Sequence, residues 1–144
     1  MRFFFDTSVL IAAFIESHPA HEASLKRLNA VRNGRDTFLI GGHTLAELYA
    51  VLTRLPVSPR INPALAHRLI EENTREAGIS VLSAKEYKGL LNLMVKDGLT
   101  GGVIYDAILL QSAIKAKADV LITLNPADFN RVQGSKKGLR SEQP

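Results

Sequence analysis

The sequence predicts an α/β fold in three layers: a parallel sheet of four to five strands with helices on both faces. Three observations predict it. Short apolar runs alternate with longer stretches whose apolar residues recur every three or four positions, the pattern of strands joined by crossover helices. The first run, Phe3-Phe4-Phe5, is apolar without alternation, as expected of a strand buried on both faces. That run stops abruptly at Asp6, with Thr7 and Ser8 behind it. Ligands in open α/β sheets sit beyond the carboxyl ends of the strands, so Asp6 occupies the position where such folds put chemistry.

The elements follow in order. Residues 2–6 read as the first strand. Thr7 or Ser8 can cap a helix over 8–16, which breaks near Pro19. A second helix covers 20–33, with Ala23, Leu25, Leu28 and Val31 on one face and Gly34 as its stop. Phe38-Leu39-Ile40, bounded by Asp36 and Gly41-Gly42, is a second strand. Residues 44–55 carry Leu45, Leu48, Leu52 and Leu55 at helical spacing, and Pro56 and Pro59 turn the next stretch into a loop. Asn62-Pro63 suits the cap and first turn of a helix to about Ala77. Ile79 to Leu82 is a third strand. Ser83-Ala84-Lys85-Glu86 matches a capping box for a helix to about Lys96. Residues 103–118 form a long helix, and Val120 to Thr123 a fourth strand.

A chain of 144 residues favours one domain, large enough to fold without staples. The expected division is a domain over 1–132 and a basic, flexible tail over 133–144. The formal net charge is +4, and the end of the chain carries most of it. From Arg131 onward, Arg131, Lys136, Lys137 and Arg140 face a single acid, Glu142. Such a segment can attract polyanions, while Gly134, Ser135, Gly138, Ser141 and Pro144 suit a solvated, frayed end. With no cysteine, a disulfide scaffold, a thiolate metal site and a Cys nucleophile are excluded. Asp6 separates the apolar runs 3–5 and 9–15, and neither approaches the ~20 residues that span a bilayer. No signal peptide is evident, so a cytoplasmic protein without a membrane partner is expected.

Three further acids can converge on Asp6. Glu47 lies in the first turn of the helix after the second strand, Asp106 in the first turns of the helix 103–118, and Asp128 just beyond the fourth strand. In a parallel sheet these positions share one edge. Converging carboxylates repel unless a cation neutralises them, and hard oxygen donors select Mg²⁺ or Mn²⁺. Each acid also has a structural alternative. Thr44-Leu45-Ala46-Glu47 is itself a capping box. Asp106 can complement a helix dipole, and Asp128 can cap a final turn. Asp6 is hardest to explain structurally, because an acid ending a buried strand needs partners. His18, His21, His43 and His67 show no ligand spacing and are expected in surface or capping roles.

As a set, these motifs resemble the PIN-domain family, most closely the toxin ribonucleases of type II toxin–antitoxin pairs known as the VapC group. The likeness runs from Phe3 to about Val132. The family's opening strand, acid and apolar helix match Phe5-Asp6-Thr7-Ser8-Val9-Leu10-Ile11. Its Thr-x-x-Glu-Leu segment matches Thr44 through Leu48, its Asp-Ala helix matches Tyr105-Asp106-Ala107 running to Ala113, and its late Thr-x-Asn-x-x-Asp-Phe matches Thr123 through Phe129. The resemblance implies a PIN-like sandwich and a Mg²⁺-dependent endoribonuclease in which Mn²⁺ can substitute. It also implies a homodimer held inactive by a cognate antitoxin. Asp6, Glu47 and Asp106 carry over as metal-binding acids and, with Asp128, as the catalytic set. Thr7, Ser8, Thr123 and Asn125 carry over as polar support.

Two departures stand out. Many relatives have an acid where this chain has Asn125, and relatives end in a further strand where this chain has its basic tail. An anionic hollow cannot hold RNA by itself, so bases elsewhere must do so; Arg54, Arg60, Arg68, Lys85 and the tail are candidates, none singled out. Two other readings compete. One is a catalytically inactive module that binds RNA or a protein. The other is an aspartyl phosphoryl-transfer domain, which would want a second acid two residues after Asp6, where Ser8 stands, or an acid pair upstream, where Phe3 to Phe5 stand.

Overall fold

The computed structural model describes residues 1–133 and 138–144, and of residues 130–133 the backbone alone. Among the described residues, five strands form one sheet: β1 (Arg2–Phe5), β2 (Thr37–Gly41), β3 (Gly78–Ser80), β4 (Val120–Ile122) and β5 (Arg140–Glu142). Their order across the sheet is β3-β2-β1-β4-β5, and every neighbouring pair is parallel. The described residues also form seven helices: α1 (Thr7–Phe14), α2 (His21–Asn33), α3 (Gly42–Leu52), α4 (Pro63–Thr74), α5 (Ala84–Asp97), α6 (Val103–Lys115) and α7 (Pro126–Gln133).

Alternation along the buried strands sorts the layers. Phe3, Phe5, Phe38, Ile40, Val120 and Ile122 face one side and pack with Leu10, Leu28, Leu48 and Ile70 of α1 to α4. Phe4, Leu39 and Leu121 face the other and pack with Leu109, Leu110 and Ala113 of α6 and Phe129 of α7. Each such fully buried large side chain contributes roughly 1.5–3 kcal/mol of transfer free energy. Phe5 meets Phe38 edge-on, with centroids 5.2 Å apart. On the outside of α6, α5 adds Leu90 and Met94 against Ala107 and Ile108. The three-layer α/β architecture read from the sequence is therefore present.

Several boundaries differ, each for a local reason. The first helix starts at Thr7, and its cap is Asp6 rather than Thr7 or Ser8, because the chain stays extended only as far as Asp6. The third helix begins at Gly42, with Gly41 as a cap that makes no side-chain bond. The third strand ends at Ser80. Among the described residues it pairs only with β2, whose last partner is Gly41, so Val81 has no ladder to join and is exposed. The helix that starts at Pro63 stops at Thr74, and α6 stops at Lys115. Asp128 belongs to a full helix, α7, that begins on Pro126, a residue suited to the first helical position. The capping box at Ser83 and Glu86 forms as expected. Lys115 also reaches Glu86 at 2.7 Å. That bond and the Ser83 amide hold the Glu86 carboxyl down to about 2.

The expected frayed end is in part a strand. Arg140–Glu142 pairs with β4 from Val120 to Ile122, and Arg27 reaches Glu142 at 3.1 Å. Pairing there covers the outer edge of β4, whose backbone groups would otherwise lack partners. The Arg131 side chain, Lys136 and Lys137 lie outside the described residues. Among the described residues, no helix is long and apolar enough to cross a membrane.

The strand order places the site. The chain builds outward from β1 through β2 to β3, then returns to add β4 and β5 on the other side of β1. Connections leaving β1 and β4 diverge there, opening a crevice beyond their carboxyl ends.

Candidate active site

Asp6 sits in that crevice because of sheet register. Phe5 lies opposite Ile122, and the Asp6 amide donates to the Ile122 carbonyl at 2.9 Å, which brings Asp6 beside Thr123. Its Oδ2 accepts from Ser8 Oγ and from Thr123 Oγ1, each at 2.7 Å. Its Oδ1 accepts only a long contact, 3.3 Å, from the Ser8 amide. Thr123 is fully buried and also accepts from the Asn125 amide at 3.2 Å. One hydroxyl thus braces both the acid and the loop that carries Asn125.

Glu47 is held from a different element. Thr7 Oγ1 donates to its Oε2 at 2.6 Å. The capping-box alternative does not form. With Gly41 as the cap, Thr44 falls inside the first turn, and its buried hydroxyl has no partner. Sequence reasoning missed His43, whose Nε2 lies 3.6 Å from the same Oε2, beyond hydrogen-bond length. That nitrogen is buried without a hydrogen-bond partner among the described residues. Burial pulls the His43 imidazole below its ordinary range, against the opposing pull of Glu47 and Asp6. The i, i+4 spacing of His43 and Glu47 was the available signal.

Asp6, Glu47, Asp106, Asn125 and Asp128 line one hollow of about 370 Å³, together with Thr7 and Ser8. Asp106 is in the first turn of α6, where a helix dipole alone would lower its pKa. It is raised instead, first by burial and then by Asp128, Asp6 and Glu47. Asp128, Asp6 and Glu47 therefore all act on Asp106 across the hollow, with Asp128 the strongest charged neighbour. Asn125 and Asp128 both reach the hollow, so neither replaces the other.

The donor set suits a hard divalent cation. All the ligand atoms on offer are oxygens. Asp6 and Glu47 each have one oxygen tied down by protein hydroxyls, which leaves the second largely free. Among the described residues no three acidic or imidazole side chains converge into a ready-made ion cage; the acids share a hollow rather than a point. That suits Mg²⁺, which keeps several waters and takes only one or two direct carboxylates.

Among the described residues, no basic side chain lines this hollow. Arg54 lines the adjoining one with Leu55 and Pro56, and the two hollows share Ala50 and Val51. Arg60, Arg68 and Lys85 are exposed and do not line the acidic hollow.

A parallel sheet whose switch point gathers four acids in one hollow is an α/β domain with a single anionic site. The chain belongs to the PIN-domain family, whose model matches residues 3–135. It is 39% identical over 116 residues to Ribonuclease VapC40 of Mycobacterium tuberculosis, covering 81% of each chain. It is 37% identical over 115 residues to Ribonuclease VapC27 of the same organism, covering 80% of this chain and 79% of that one. Among solved structures it resembles VapBC2 from Rickettsia felis, bound to a DNA fragment from its promoter, with a TM-score of 0.69. The identity there is 22%, with 99% of this chain and 98% of that chain covered. It also resembles Mycobacterium tuberculosis VapC20, a toxin that cleaves the sarcin–ricin loop, with a TM-score of 0.64. The identity is 18%, with 83% and 86% covered. Those two structures establish the fold.

Proposed function

We propose that this PIN-domain protein is a metal-dependent endoribonuclease and the toxin of a type II toxin–antitoxin pair. The observation that carries the reading is the single hollow at the β1–β4 switch point into which four chain-distant carboxylates converge. The 37–39% identity to two named ribonucleases over four-fifths of the chain supports the reaction class.

Asp6, Glu47 and Asp106 would hold Mg²⁺, or Mn²⁺ in its place, with Asp128 beside them. When bound, the metal supplies neutralisation of phosphate charge and a water acidic enough to attack at neutral pH. The chain's own residues do the rest. Ser8 and Thr123 lock Asp6 in one rotamer, and Thr7 locks Glu47. Asp106, whose ionisation is suppressed by burial and by the neighbouring acids, offers a place for a proton to pass from the attacking water, with Asp128 beside it in the hollow. Arg54 in the adjoining hollow can grip an RNA phosphate next to the scissile one, a contact worth most at low salt.

The reading includes two protein partners. An antitoxin reaching the hollow would meet concentrated negative charge, which an inserted Arg or Lys would complement. A second copy of the chain suits the exposed face of α5, where Tyr87, Leu91 and Val95 follow one another at four-residue intervals and are 39%, 57% and 84% exposed. Sedimentation of wild type beside Leu91→Glu tests that face.

The deciding experiment incubates purified protein with a defined RNA panel in Mg²⁺, Mn²⁺ or EDTA, beside Asp6→Asn. Cleavage that needs metal and Asp6 supports the reading; equal cleavage by Asp6→Asn, with contaminating nuclease excluded, overturns it. Expression without a neighbouring small partner gene should arrest growth, and co-expression should relieve it.

A further inference from the structure

We infer that His43 is a positioning residue for Glu47, pinning Oε2 to the protein so that Oε1 is left for the metal. The inference rests on the reading of Glu47 as a metal-binding carboxylate.

Three observations carry it. First, His43 and Glu47 are one helical turn apart on α3, and His43 Nε2 approaches the Oε2 that Thr7 already engages at 2.6 Å. Two donors from two elements converge on one oxygen, and Oε1 has no protein donor among the described residues. Second, His43 Nε2 is buried and has no partner, an arrangement that folded proteins rarely leave unused. The gap to Oε2 is 3.6 Å, only a few tenths of an ångström beyond the ~3.2 Å limit of an ordinary bond. The Glu47 side chain is 35% exposed, which leaves it room to turn toward Nε2.

Third, glycine at position 41 leaves the ring its space. A Cβ at Gly41 would lie 3.0 Å from His43 Nδ1 and 3.2 Å from Cε1. Gly41 has φ −81° and ψ 150°, an extended conformation any residue adopts, so the backbone does not require glycine there. The imidazole does. Nε2 carries a proton in the imidazolium and in one neutral tautomer, so the contact needs no change of charge.

The test is Mn²⁺ affinity by titration calorimetry, with the full chain, for wild type, His43→Leu, His43→Gln and Gly41→Ala. Glutamine can place an amide N–H near the position of Nε2. His43→Leu should bind Mn²⁺ about ten- to a hundredfold more weakly, the usual loss when a residue orienting a metal ligand is removed. His43→Gln should recover most of that loss. Its metal-free melting temperature should match that of wild type. Gly41→Ala, which crowds the ring, should weaken binding in the same direction and serves if His43→Leu does not fold. Unchanged affinity in a folded His43→Leu or Gly41→Ala overturns the inference, as does equal loss in His43→Leu and His43→Gln. A wild type that binds no Mn²⁺ overturns the metal reading and this inference together, which separates the two failures.

Discussion

Thr7 Oγ1 donates to Glu47 Oε2 over 2.6 Å, joining the first turn of α1 to α3 across forty residues of chain. Thr7 follows Asp6 directly, so the turn that ends β1 sets both positions. Asp6 looks toward β4 and Thr123, and Thr7 looks toward α3 and Glu47. One local bend therefore registers two acids that the sequence separates.

Thr7→Val keeps the shape of the side chain and deletes that hydrogen bond. RNA cleavage should fall about ten- to a hundredfold, as for other residues that orient metal ligands. Thr7→Ser should retain most of the activity. Single-turnover cleavage at saturating Mn²⁺ measures this, and full activity in Thr7→Val would break the proposed link between the two acids.

Substitutions at Asp6 should separate charge from capping. Asn is itself a good N-cap and can still accept from Ser8 and Thr123, so Asp6→Asn should leave the metal-free fold as stable as wild type. Asp6→Ala loses the cap and strands the buried Thr123 hydroxyl, which should cost about 1–3 kcal/mol. Both should slow cleavage by roughly a thousandfold or more. Mn²⁺ at about a hundred times its dissociation constant should stabilise wild type by roughly 2.7 kcal/mol. That is on the order of 5–10 °C in melting temperature, and neither variant should show it. Thermal shift in EDTA and in Mn²⁺ reads all three proteins.

Asp106 gives a pH signature. Its carboxyl titrates above the ordinary value of 3.8 because of burial and the neighbouring acids. A raised folded-state value means that ionising Asp106 destabilises the metal-free protein; the penalty is absent below about 3.8 and grows as pH rises through the folded value. Asp106→Asn should therefore be more stable than wild type at pH 7, and the advantage should vanish near pH 3. Urea unfolding in EDTA at both pH values checks it. A variant less stable than wild type at pH 7 would mean that Asp106 is structurally required in its charged form.

Arg54→Ala should raise KM for RNA with little change in kcat, because Arg54 lies outside the hollow that holds the acids. The dependence of binding on salt should weaken by about one counterion, a slope change of roughly 0.7 for single-stranded RNA. Arg60→Ala, at an exposed position away from the hollow, is the control. Equal effects in the two variants would refer the loss to overall charge rather than to a site.

The sequence by itself determined the layers. Apolar runs such as Phe3 to Phe5 are legible as buried strands because hydrophobic periodicity is a local property of the chain. Asp6 was legible because an acid at the end of a buried run needs partners, and the Asn62 and Ser83 caps because capping needs only residues within one turn. Tertiary structure decided what each acid touches. Thr44 and Glu47 spell a capping box, yet the helix starts at Gly42 and Glu47 binds Thr7, because the start depends on where β2 stops beside β3. The strand Arg140–Glu142 has no apolar signal, and it forms because the edge of β4 needs a partner. His43 reads as a helix-start residue until the fold closes over its ring. The contacts that fix the two acids join residues far apart in the chain: the register of β1 against β4 brings Thr123 to Asp6, and the placing of α1 beside α3 brings Thr7 to Glu47.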